Sequence, residues 1–132
     1  MEMTNIESNR AAYTLEVLIH KLGIAEDVSK MEVKEQLVNG VYSRELFIKG
    51  EDVVIGKTHS TTVMNIILKG RCTICLGTNV QEYSTGDYFI STPYSKKIIM
   101  AIEDTVLLNV VNVPCDNIED VLDYITVNEG EV

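Results

Sequence analysis

The sequence predicts a mainly β, antiparallel barrel or sandwich with one helix before it and one after it. Three observations carry this. Between residues 31 and 114 the 132-residue chain breaks into about eight or nine short runs of strand formers separated by turn residues. On either side of that region, apolar residues recur at helical rather than alternating spacing. No low-complexity linker or internal repeat divides the region, so one domain is expected over residues 1–132, large enough to bury roughly two thirds of its unfolded surface without cross-links.

The first helix is expected over residues 6–22. Ala11, Ala12, Leu15, Leu18, Ile19 and Leu22 fall at three- and four-residue steps, Gly23 follows as a stop, and His20 and Lys21 occupy the last turn, where the helix dipole favours cations. His20 there reads as a dipole-stabilised surface group. Residues 24–30 form an acidic, polar connection, and residues 31–38 are only weakly patterned. Asn39-Gly40 then turns the chain into a strong strand at 41–48, which ends at Lys49-Gly50. Residues 53–55 lead into Gly56, and residues 63–68 form a strand ending at Lys69-Gly70. Residues 71–76 and 80–83 read as a hairpin across Gly77-Thr78-Asn79. A turn at 84–87, a short strand at 88–90 and a loop at 92–95 follow. Strands are expected at 97–102 and 106–113, split by Glu103-Asp104 and stopped by Pro114. Ile118, Val121, Leu122 and Ile125 give a second helix over about 117–125, with Asp116 or Asn117 as its N-cap; past Thr126 the chain is expected to fray.

Composition excludes several classes. Hydrophobic residues make up 45% of the chain and charged ones 23%, which is ordinary for a globular protein and argues against disorder. No apolar run reaches the ~18 residues of a membrane span, and the polar start lacks the regions of a signal peptide, so no membrane association and a cytoplasmic location are expected. Cys72, Cys75 and Cys115 are an odd set without an export signal and are expected to be reduced. Cys72 and Cys75 have zinc-knuckle spacing, but on a strand positions three apart face opposite sides, so the sulfurs should diverge. A net charge of -9 argues against nucleic acid as partner. That charge is uneven: residues 1–39 carry four basic and seven acidic side chains, residues 40–100 seven and five, and residues 101–132 none and eight. The barrel segment is thus mildly basic through Arg44, Lys57, Lys69, Arg71, Lys96 and Lys97. An anionic small molecule is the ligand class this suggests, with solvated strand-end cations as the bland alternative.

His59 is the residue that stands out for chemistry. It sits at the mouth of the 63–68 strand, and if it points inward, alternation sends Val63, Asn65 and Ile67 inward with it. Ile98, Met100 and Ile102 share one face of a later strand and are expected to line the same interior. Such a lining suits a small-ligand pocket and a filled core equally. Ser60, Thr61 and Thr62 adjoin His59, but no pattern fixes a catalytic triad.

Two blocks resemble the two motifs of the cupin superfamily. Gly56, His59, Asn65 and Gly70 match the first; Gly86-Asp87, Pro93 and the strand from Lys97 match the second. The chain is similar above all to small cupin-like proteins of bacteriophage genomes, through Val41-Tyr42-Ser43-Arg44-Glu45, Gly56-Lys57-Thr58-His59, Asn65, Lys69-Gly70 and Glu103-Asp104-Thr105. The resemblance covers residues 40 to about 112 and implies a β-jelly-roll barrel, about 31–114, whose open end is the usual site. It also implies where metal ligands would stand, and there the chain departs: Thr61, Asn65 and Ile98 occupy those places, and further histidines of the phage group align with Val63 and Ile102. A metal-free barrel without cofactor is therefore expected, because one imidazole with a neutral amide and a threonine competes poorly with water for a transition metal. The expected function is non-catalytic binding of an anionic ligand by His59, Asn65, Arg44, Lys57, Thr61 and Met100, such as sequestration of a host defence signal, or binding of a host protein. The alternative is a metal-free epimerase or isomerase using His59 with Tyr42 or Glu45 as acid and base. A homo-oligomer pairing through sheet edges is expected, the first helix covering an edge or exchanging between subunits.

Overall fold

The structure, a computed structural model, describes residues 25–26 and 32–127; the helix expected over 6–22 lies outside the described residues. Among the described residues, ten strands precede one helix: β1 Ala25–Glu26, β2 Val33–Val38, β3 Val41–Ile48, β4 Val53–Ile55, β5 Val63–Lys69, β6 Arg71–Leu76, β7 Asn79–Ser84, β8 Tyr88–Ser91, β9 Lys97–Ala101, β10 Thr105–Asn112 and α1 Ile118–Ile125. They form two five-stranded sheets. Sheet I has the order β1-β4-β9-β6-β7 and sheet II the order β2-β3-β10-β5-β8. Among the described residues, β1 pairs with β4 in parallel. Every other pairing is antiparallel.

Local chemistry sets the turns. Asn39 and Gly40 both take positive φ, 48° and 81°, the conformation a two-residue hairpin needs and the reason Asn-Gly joins β2 to β3. Gly70 has φ 97°, and a Cβ there would collide with the Asp104 carbonyl and Thr105. Only glycine lets the 103–105 turn close on the β5–β6 link. The β6–β7 hairpin closes after Leu76↔Asn79, so its turn is Gly77-Thr78 and Asn79 belongs to the strand. At α1 the N-cap position is Asn117, which makes no side-chain capping bond.

Alternation decides what fills the space between the sheets. On β10 the buried residues are Thr105, Leu107, Asn109 and Val111, every second one. Leu46, Ile48, Ile67 and Leu107 of sheet II meet Val54, Cys72, Ile74, Ile99 and Ala101 of sheet I in one apolar cluster. At the other end of the interior, Tyr42, Val63, Val111 and Val113 pack under Val121 and Ile125 of α1. A third cluster, Ile55, Cys75 and Ile98 with Val53 and Met100, lies on the opposite face of sheet I. Cys72 and Cys75 thus fall in different clusters, as alternation requires. Among the described residues, no helix is long and apolar enough to cross a membrane.

Candidate functional site

Between the two interior apolar clusters runs a polar layer. On β3, Arg44 lies between Tyr42 and Leu46; on β5, Asn65 lies between Val63 and Ile67; on β10, Asn109 lies between Leu107 and Val111. Strand register brings these three into one row, Arg44 opposite Asn109 and Asn109 opposite Asn65, with Phe89 of β8 next to Asn65. Asn65 is wholly buried and Asn109 nearly so.

Sheet I contributes Lys97, the first residue of β9. It is 5% exposed, its Nζ donates to Asn65 Oδ1 across the interior, and it stands 6.0 Å from the centroid of the Phe89 ring. The Asn65 amide donates in turn to Ser91 Oγ at 3.1 Å and to the Val63 carbonyl at 3.2 Å. Asn65 is thereby held with its oxygen toward the lysine. Burial, and then the nearby Arg44 guanidinium, lower the Lys97 pKa from 10.5 to about 8. Among the described residues no carboxylate forms an ion pair with Lys97 or Arg44. Two further polar atoms, Asn109 Oδ1 and Thr61 Oγ1, are buried without a hydrogen-bond partner among the described residues, which costs about 1–3 kcal/mol each unless another group meets them.

His59 reaches this layer from a segment pinned on two sides. Its carbonyl accepts from Tyr94 N–H at 2.7 Å, Ser60 N–H donates to the Ile125 carbonyl at 2.7 Å, and Val127 N–H donates to the Thr58 carbonyl at 2.9 Å. Residues 58–60 are therefore tied both to the 92–95 loop, where Tyr94 takes a φ of 66°, and to the end of α1. The imidazole is half-buried. Burial first, then the positive charges of Lys97 and Arg44, hold its pKa down from 6.5 to about 3. His59 is a neutral ring at physiological pH, suited to hydrogen bonding and poorly suited to shuttling protons there.

The other residues singled out in the sequence go elsewhere. Met100 and Ile98 do not face His59. They lie on the opposite face of sheet I in the third cluster, because the inward positions of β9 are Lys97, Ile99 and Ala101. Ile102 lies beyond β9 and is exposed. Lys57 is exposed, and Arg71 pairs with Glu82 at 3.2 Å on the surface. Tyr42 is buried, its hydroxyl donating to Glu35 at 2.6 Å; burial and that carboxylate push its pKa well above the usual phenol range. Glu45 has outward parity on β3, opposite Lys34 and Leu108. Neither joins His59 as an acid or base. Arg44 does belong with the layer; Thr61 precedes β5 and is half-buried. The sequence reading missed Asn109 and the particular role of Lys97. A signal for the first was present: Asn109 interrupts an otherwise apolar run at a position whose i±2 neighbours are core.

The donors in this layer do not fit a transition metal. One imidazole, an amide oxygen already bonded to an ammonium, and a buried positive charge make a poor and repulsive ligand set. Among the described residues, no group of three or more His, Cys, Asp or Glu side chains is placed to hold an ion.

No protein-family model and no curated protein matches the sequence. Solved structures match its fold. A cupin superfamily protein from Desulfitobacterium hafniense superposes with a TM-score of 0.58 at 11% identity, covering 68% of this chain and 84% of that one. KdgF from a Halomonas species gives 0.58 at 15% identity over 69% and 86% of the two chains. A cupin 2 conserved barrel domain protein from Salinispora arenicola gives 0.57 at 13% identity over 68% and 81%. Identities this low speak to architecture, not to chemistry. Two five-stranded sheets, antiparallel but for the β1–β4 pair, enclosing the interior, and cupin proteins as structural neighbours, make this fold a cupin β-barrel.

Proposed function

We propose that this protein is a non-catalytic cupin-fold binding protein whose interior polar layer takes a small anionic ligand. The observation that carries this is the pair Lys97 and Arg44: two cations facing the layer with no carboxylate ion pair among the described residues. Lys97 is the buried one, whereas half-buried Arg44 has Glu35 opposite it in the strand register; a buried charge without a counter-charge is costly, and an incoming carboxylate or phosphate supplies one to Lys97. Neutral His59 offers a hydrogen bond without adding charge. Phage origin, sequestration of a host signal and a homo-oligomeric state are parts of this proposal; the first two rest on the Val41-Tyr42-Ser43-Arg44-Glu45 and Gly56-Lys57-Thr58-His59 resemblance. The enzyme alternative has less behind it, because His59 is held neutral, Tyr42 is bonded to Glu35, and Glu45 faces outward.

A thermal-shift screen of short carboxylates, sugar phosphates and nucleotides tests the reading. An anion at ten times its Kd adds about 1.4 kcal/mol, a rise of about 4 °C for a chain of this size, and Arg44→Met is expected to remove most of it. No anion shifting the wild type, or a shift indifferent to Arg44, contradicts the proposal and leaves a protein partner as the better account.

A further inference from the structure

Resting on the anion-binding reading, we propose that Lys97 Nζ captures α-keto acids covalently, as an imine. An amine nucleophile needs to be unprotonated, oriented and free of a neutralising carboxylate. Lys97 is buried, fixed by its bond to Asn65 Oδ1, and makes no ion pair with a carboxylate among the described residues. Its neighbour in charge is Arg44, whose guanidinium suits the carboxylate of a keto acid as its fork geometry dictates. Carbonyl and carboxylate adjacent in one small molecule therefore match amine and guanidinium in one layer.

The step balances without any oxidant or reductant. The Lys97 ammonium first gives up a proton. The freed nitrogen lone pair adds to the keto carbon, the carbon–oxygen π pair moves to oxygen, and a proton passes from nitrogen to that oxygen, leaving a carbinolamine. The proton given up at the start returns to the hydroxyl, which leaves as water while the nitrogen pair forms the C=N bond. The product is a protonated imine, so the lysine nitrogen keeps its positive charge while the carboxylate brings one negative charge into the layer. Its one remaining N–H faces an acceptor already in place, Asn65 Oδ1. Asn109 Oδ1, buried and without a partner, lies next to Asn65 in the strand register and is an acceptor for the carbinolamine hydroxyl.

The test is reductive trapping on the wild-type chain. Protein is incubated at neutral pH with pyruvate and cyanoborohydride, and the modified lysines are located by peptide mass mapping. Acetone serves as a carbonyl without a carboxylate, and lactate as a carboxylate without a carbonyl. The expected result is a pyruvate adduct at Lys97 forming on the order of tenfold faster than at exposed lysines, since a pKa of about 8 rather than 10.5 leaves far more free amine. Arg44→Met is expected to slow the pyruvate reaction about tenfold toward the rate with acetone, one lost charge-assisted contact being worth about that much. Thermal shift on the same samples separates the two claims. Stabilisation by lactate and pyruvate with no adduct at Lys97, or with adducts spread over exposed lysines, overturns the imine and leaves anion binding standing. No stabilisation by either acid and no Lys97 adduct overturns the imine, and anion binding falls with it only when the wider screen gives no shift.

Discussion

Lys97 and His59 are bases whose surroundings oppose protonation, and that sets how stability varies with pH. His59 has a folded pKa of about 3 against 6.5, so between those values the unfolded chain binds a proton that the folded chain refuses. Its contribution is complete above pH 6.5 and is lost as pH falls toward 3, with a slope of at most about 1.4 kcal/mol per pH unit. His59→Gln is expected to flatten the acid limb of stability between pH 6.5 and 4, measured by urea midpoints at each pH; an unchanged limb contradicts the burial of the ring beside Lys97. Lys97 behaves the same way at higher pH. Its folded pKa of about 8 lies below 10.5, so wild-type stability relative to Lys97→Met rises as pH is taken from 8 to 10.5. A difference that stays constant over that range contradicts an ammonium buried without a counter-charge. Neither effect was legible in the sequence, where Lys97 is one of two adjacent lysines after a loop and His59 a lone histidine. Both shifts come first from burial and then from charges distant along the chain, Arg44 for Lys97 and Lys97 with Arg44 for His59.

At the scale of elements, what was legible followed from whether one face of a strand or both are buried. β3 was expected at 41–48 and lies at Val41–Ile48; β10 alternates cleanly between core and half-exposed positions. β9 does not. Lys97, Ile98, Ile99 and Ala101 are all buried, because sheet I is covered on both faces around this strand, and a run buried on both faces carries no period-2 signal. Assigning Ile98 and Met100 to the interior was therefore undetermined by pattern, and the structure places them in the opposite cluster. A substitution separates the faces. Ile98→Ala is expected to cost about 2–4 kcal/mol of stability, read from chemical denaturation, while leaving any anion-induced shift intact. Loss of that shift in a folded Ile98→Ala protein puts the residue in the site after all. α1 links packing to the site: Ile125 is buried under the barrel end and its carbonyl holds Ser60 N–H, so Ile125→Ala is expected to cost a similar amount and to loosen the His59 segment, raising hydrogen exchange at Ser60.

For the whole molecule, the barrel interior is two apolar clusters with a charged layer between them, and this arrangement joins fold to function. The clusters supply stability, while the layer is a place where stability is given up. Several short strands, Asn39-Gly40 and Lys69-Gly70 made the barrel readable, and Asn65 within an apolar strand marked one point of the layer. The excess of basic residues over 40–100 pointed to an anion, but it did not tell Arg44 and Lys97, which face the layer, from exposed Lys57 and surface-paired Arg71. The sequence pattern thus led to the layer through Asn65 and put Met100 on a face that the structure sets opposite to it. Asn65→Asp tests the central claim most directly, since it sets a carboxylate beside the Lys97 ammonium with little change of shape. In a thermal-shift titration with the anion that most stabilises the wild type, the folded variant is expected to lose the response, because Lys97 then has its counter-charge. A folded Asn65→Asp protein that responds as strongly as the wild type would show that the anion binds elsewhere.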